Sequence, residues 1–146
     1  MQKLNFPQYS FRFKNSENRT MAFDEIRKKF IVLTPEEWVR LHVVQFLIKE
    51  HNYPRNLMNV EKQIKLNNTT KRYDVVVYNN DGTVFMIVEC KAPNVAITQM
   101  TFDQIARYNL SLNAQYLMVT NGLEHYFCQM DFENKCYIFL EGVPSR

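Results

Sequence analysis

Residues 71–93, KRYDVVVYNNDGTVFMIVECKAP, constrain the fold more than any other stretch of the chain. Two runs rich in β-branched and aromatic residues flank NNDG, a hairpin turn signal. They read as antiparallel strands over 72–78 and 83–90. Several consecutive positions are apolar, which suits a sheet covered on both faces. Yet the runs carry Asp74, Glu89 and Lys91. Glu89 and Lys91 stand two apart, hence on one face. A turn centred on Asn80 and Asp81 pairs Asp74 near Ile87, and a shift of a residue or two brings it beside Glu89. The three charges either end their strands in water or converge on one edge of the sheet.

Convergence has a chemical use. Two carboxylates that close repel each other in a low dielectric, and a divalent cation removes that penalty. Mg²⁺ takes one or two carboxylates together with waters and phosphate oxygens. The backbone carbonyl of Cys90 is a further oxygen donor, while its thiol points to the opposite face, into the core. Lys91 suits orienting or deprotonating a water, or stabilising charge on a phosphate.

The rest of the chain fits one α/β domain. Its 146 residues, 46% hydrophobic and 23% charged, suffice for one core and suggest a single domain over 1–146. Residues 1–20 lack a period and read as an irregular segment, a loop with a short edge strand. KKFIVL (28–33) is a short strand. A helix follows, with Thr34 as N-cap, Pro35 at its first position and Glu37 completing a capping box. It should run to about residue 51, with Glu37, Leu41, Val44 and Ile48 on its inward stripe. NVEKQIKL (59–66) is the strand before the hairpin. TFDQIARYNLSL (101–112) is a second helix capped by Thr101. Segments 114–120, 124–131 and 135–141 read as further strands. The coarse order is helix, three strands, helix, strands, a mixed central sheet flanked by helices.

The start of the chain lacks the apolar stretch of a signal peptide, and no run nears the roughly 18 apolar residues of a membrane span. The cysteines, Cys90, Cys128 and Cys136, are odd in number and form no C-x-x-C pair. These features lead us to expect a cytoplasmic protein with reduced thiols and no membrane association. A formal charge of +3 permits contact with phosphates without arguing for it.

Five blocks, LTPEEWVRLHVVQFLIKEHNYP, KRYDVVVYNNDG, VECKAP, TFDQIARYN and YLMVTNG, occur in this order. Together they resemble the N-terminal nuclease domain of type I restriction enzyme R subunits, in its short stand-alone form, within the PD-(D/E)XK nuclease superfamily. The resemblance runs from about Phe23 to about Gly122. It implies a restriction-endonuclease-like core of αβββαβ order, here with an extra C-terminal hairpin. It matches Asp74 and Glu89 to the metal-binding carboxylates and Lys91 to the catalytic lysine. Gln104 and Tyr108 match the Q-x-x-x-Y motif, and stand at i and i+4 on one helix face. Glu37 matches an acidic residue on the first helix, near the metal. The family's proline before the first aspartate is Tyr73 here, and no helicase motor follows, so ATP-driven translocation is not expected of this polypeptide.

The implied activity is Mg²⁺-dependent DNA cleavage, with Mn²⁺ as a substitute. The implied partners are DNA and a second copy or other restriction-system subunits. The alternative is a catalytically silent module of the same fold that binds nucleic acid or a partner. Structural readings stand beside the functional ones, since capping boxes account for Glu37 and for Gln104, and Tyr108 suits a core. The basic residues Lys62, Lys65, Lys71, Arg72 and Arg107 read either as a DNA-steering surface or as a solvated face.

Overall fold

The computed structural model describes residues 1–66, 69–110 and 112–146. Strands β1 (Phe13–Ser16), β2 (Arg19–Asp24) and β3 (Lys29–Val32) form an antiparallel meander. Helix α1 (Pro35–Lys49) follows, and a short 3₁₀ turn at Arg55–Leu57 leads into β4 (Met58–Leu66), β5 (Thr69–Tyr78) and β6 (Val84–Cys90). Helix α2 (Gln99–Leu110) comes next, then β7 (Tyr116–Thr120), β8 (His125–Asp131) and β9 (Cys136–Leu140). The six later strands form one sheet in sequence order. All its neighbours are antiparallel except β6 and β7. Parallel neighbours need a long crossover, and α2 supplies it. The fold is therefore mixed α/β, with helices on both faces of a mixed sheet.

The continuous apolar runs are explained by two cores, one per face. Val75, Val77, Met86, Val88, Cys90 and Met118 pack under α1. Tyr73, Val76, Ile87, Leu117, Val119 and Cys128 pack with Phe102, Ile105 and Ala106 of α2. Each face of the central strands is thus dry, and apolar residues are needed at odd and even positions alike.

Four local expectations change. Residues 1–20 are not wholly irregular: β1 and the start of β2 lie within them, joined by a tight turn in which Glu17 and Asn18 take φ of 52° and 63°. Such turns match the twist of a hairpin, and asparagine tolerates that conformation. Helix α1 does not present a single inward stripe, because every residue from Trp38 to Gln45 is buried. The first strands and the N-terminal segment cover the side away from the main sheet, and Ala22, Ile31, Leu4 and Phe6 join its core. Helix α1 also ends at Lys49, two residues early. Helix α2 begins one turn earlier than TFDQ suggests. Thr98 accepts the Thr101 N–H at 3.2 Å and so takes the capping place expected of Thr101. The expected end of this helix spans residue 111, which lies outside the described residues.

The hairpin register also differs from a simple count. Val75 pairs with Val88 and Val77 with Met86, but Tyr78 pairs with Val84 across a bulge. That bulge and a turn closed by Asn79 N–H to Thr83 O (2.8 Å) move Asp74 from Ile87 to the position opposite Glu89.

Candidate functional site

Asp74 lies where two ladders are interrupted together. On the β4 side, Val60 pairs with Val75 and Lys62 with Tyr73, and the ladder skips the position between them. There Glu61 adopts φ of 56°, an uncommon conformation for a side chain-bearing residue. Tyr73 belongs to the core under α2 while Val75 belongs to the core under α1. The alternation of side chains is therefore reset at Asp74, which frees its carboxylate to turn toward the end of β6.

Both oxygens of Asp74 are held. Oδ2 accepts the Cys90 N–H at 2.7 Å, and Oδ1 accepts Arg40 Nη2 at 2.7 Å. Arg40 comes from α1 and is buried. It also pairs with Glu37 through Nη1, with Glu61 at 3.1 Å and with Glu36 at 3.5 Å. Burial works against its charge, but Asp74 and Glu37 more than offset this and hold its pKa above the ordinary arginine value.

Glu89 is buried at the end of β6, on the face opposite Val88 and Cys90. Its Oε1 lies 3.1 Å from Lys71 Nζ without the alignment of a hydrogen bond. Burial pushes its carboxyl upward, and Lys71 opposes that push. Lys91 follows, its N–H bound to Thr120 O at 2.8 Å across the parallel ladder. Among the described residues its ammonium has no carboxylate within ion-pair reach. It still acts at a distance, drawing down the carboxyls of Glu36 and Glu89. The Cys90 thiol is buried on the α1 side, where burial and then Asp74 hold it well above the ordinary cysteine range.

The remaining residues expected at the site divide. Tyr108 reaches it through Lys71, whose ammonium lies 4.4 Å from the ring centre. Gln104, one turn earlier on α2, is exposed. Glu37 turns away toward Arg27, which also holds Asp24, and accepts from Arg27 Nη2 at 2.7 Å. Its neighbour Glu36 is the α1 acid that feels the centre. Burial and then Asp74 raise its carboxyl, with Arg40 and Lys91 opposing. The sequence reading missed Arg40, Glu36 and Glu61. Arg40 did carry a signal: it is a lone arginine inside an apolar helix, three and four residues after two glutamates.

The donor set is hard oxygen: two carboxylates opposite one another plus main-chain carbonyl at the end of β6. No group of three or more His, Cys, Asp or Glu side chains is arranged to hold a metal ion among the described residues. A closed cage of protein ligands is therefore not what this edge offers. Two carboxylates with room for water or phosphate oxygens are what Mg²⁺ takes. The buried Oε1 of Glu89 lacks an aligned hydrogen bond among the described residues, which leaves an acceptor to be satisfied.

No helix among the described residues is long and apolar enough to cross a membrane. Residues 35–144 match the protein family described as "Type I restriction enzyme R protein N terminus (HSDR_N)". No curated protein matches the chain.

Proposed function

Starting from the fact that the chain belongs to the family of type I restriction enzyme R protein N termini, we propose that it is a metal-dependent endonuclease domain that hydrolyses phosphodiester bonds in DNA. The observation that carries this reading is the juxtaposition of Asp74 and Glu89 at one sheet edge, with the ammonium of Lys91, which has no carboxylate in ion-pair reach among the described residues, near enough to act on Glu89. The succession α1, β4, β5, β6, α2, β7 supports it too, because it follows the αβββαβ order of a restriction-endonuclease-like core. The strands β8 and β9 are then the added hairpin.

In this reading Asp74, Glu89 and the Cys90 carbonyl would hold Mg²⁺, or Mn²⁺ in its place. When bound, such a metal would supply Lewis-acid stabilisation of charge on the phosphate. The chain does the positioning. Arg40 and the Cys90 N–H fix both oxygens of Asp74, so its carboxylate is set before substrate arrives. Lys91 as an ammonium orients a water or steadies charge on the phosphate; only after losing a proton to solvent, as the neutral amine, could it take the water's proton. With no carboxylate in ion-pair reach among the described residues, its ammonium is available to the water and the phosphate. Glu36, half exposed beside Asp74, is a further acidic contributor. The exposed Lys62, Lys65, Arg72 and Arg107 are suited to steering the DNA backbone toward this edge. The partners are DNA and a second copy or other restriction-system subunits, and the setting is the cytoplasm.

Plasmid cleavage with Mg²⁺ or Mn²⁺ tests the reading. Wild type should nick or linearise the plasmid, and Asp74→Ala and Lys91→Ala should each abolish this. Activity that survives both substitutions would sink the assignment.

One observation favours a second reading, a catalytically silent module that binds nucleic acid or a partner. Each carboxylate already has a protein cation, Arg40 on Asp74 and Lys71 on Glu89. Salt-sensitive DNA binding without any Mn²⁺ uptake in calorimetry would select this alternative.

A further inference from the structure

Lys71 stands three residues before Asp74 on β5, with 27% of its side chain exposed. Its ammonium lies 3.1 Å from Glu89 Oε1, 4.4 Å from the centre of the Tyr108 ring and 5.0 Å from that of Tyr73. Three elements meet to build this contact: β5 gives Lys71 and Tyr73, β6 gives Glu89 and α2 gives Tyr108. An ammonium over two ring faces is attracted by the negative face of each. The pair is unlike a surface salt bridge, since only 10% of the Glu89 side chain meets solvent. It is also unlike the grip of Arg40 on Asp74. Arg40 makes a directed hydrogen bond, whereas Glu89 Oε1 has none. Attraction without alignment holds a charge in place and still lets it withdraw.

We propose that Lys71 is a positioning residue and internal counter-cation of this site. It engages Oε1 of Glu89 and competes with an incoming divalent cation for the same carboxylate. The inference rests on the nuclease reading and assigns a residue that the acid-acid-lysine pattern does not contain. Tyr108 acquires a specific part in it: its ring keeps the ammonium within reach of Glu89, so the tyrosine acts on the site through Lys71. Two like charges at one carboxylate repel. The resting site therefore resists metal, and an engaged site keeps Glu89 oriented by a cation at its back.

The test combines Mn²⁺ calorimetry, without DNA, and plasmid cleavage at saturating Mn²⁺. The proteins are wild type, Lys71→Met, Lys71→Arg and Tyr108→Leu. With the competing charge gone, Lys71→Met should bind Mn²⁺ about threefold or more tightly. Its kcat should fall about tenfold or more while its KM for DNA stays near wild type, because the acid is no longer oriented. Lys71→Arg should return both quantities toward wild type, and Tyr108→Leu should move both the same way by less. A damaged scaffold gives weaker metal binding, so tighter binding with slower turnover separates positioning from folding. Unchanged or weaker Mn²⁺ binding by Lys71→Met overturns the proposal while the nuclease reading stands. Wild type that takes up no Mn²⁺ defeats the nuclease reading itself, and the role of Lys71 falls with it.

Discussion

Arg40 reaches from α1 to four carboxylates, Glu36, Glu37, Glu61 and Asp74, while only 3% of its side chain meets solvent. A buried guanidinium is tolerated only with such partners, and its removal leaves their charges uncompensated. Arg40→Met should therefore destabilise the fold by about 3–5 kcal/mol, read by urea denaturation near neutral pH. The two glutamates beside it should separate. Glu37 bonds Arg27 and Arg40 and is half-buried, so Glu37→Gln should cost about 1.5–3 kcal/mol of stability. Glu36 is 49% exposed and, among the described residues, pairs only with Arg40. Glu36→Gln should change stability little and slow cleavage instead. Equal stability losses in the two variants would contradict this division.

At the scale of elements, the β5–β6 hairpin and α1 were legible because their signals are local. Runs of β-branched residues, the NNDG turn and the Thr34 cap act within a few positions, and Thr34 Oγ1 does accept the Glu37 N–H at 3.1 Å. What could not be read depends on the bulge between Val77 and Tyr78, which has no residue signature in that run. It moves Asp74 one place along its partner strand, and the turn closed by Asn79 and Thr83 moves it another, together the difference between facing Ile87 and facing Glu89. Partners distant in sequence were equally invisible: Arg40 meets Asp74 across 34 residues. The cap of α2 was misread for the reverse reason, since Thr98 and Thr101 are both plausible from composition and only the backbone path decides. Thr98→Ala should lower stability by about 1 kcal/mol in thermal or urea melts. Thr101→Ala, inside the helix, should cost much less. A larger loss from Thr101→Ala would return the helix start to Thr101.

The whole molecule is closed by its N-terminal segment. Trp38 Nε1 donates to Gln2 O at 2.7 Å, and the Asn5 N–H reaches Gly122 O at 2.8 Å. Phe6 lies against His42 and His125, with ring centres 6.0 and 4.3 Å away. Burial holds both imidazoles below their ordinary 6.5. The unfolded chain therefore binds protons that the folded chain refuses. Stability present above pH 6.5 should be lost as pH falls from 6.5 toward the folded values, and a melting series from pH 7.5 to 5.5 checks the sign. Gly122 has φ of 87°, and an added Cβ would sit 2.9 Å from Leu4 and 3.0 Å from Val39. The NG turn announced that glycine, while its contact with a residue 118 positions earlier was not readable from the sequence.

The same closure buries α1, and α1 delivers Arg40 and Glu36 to the edge where Asp74 and Glu89 meet. Whether that edge takes a divalent cation is the central claim. Crystals soaked in Mn²⁺ and measured for anomalous scattering test it most directly. The account requires a peak between Asp74 and Glu89 that disappears in Asp74→Ala. A fully soaked wild-type crystal with no peak there, or with Mn²⁺ bound only elsewhere, would contradict it.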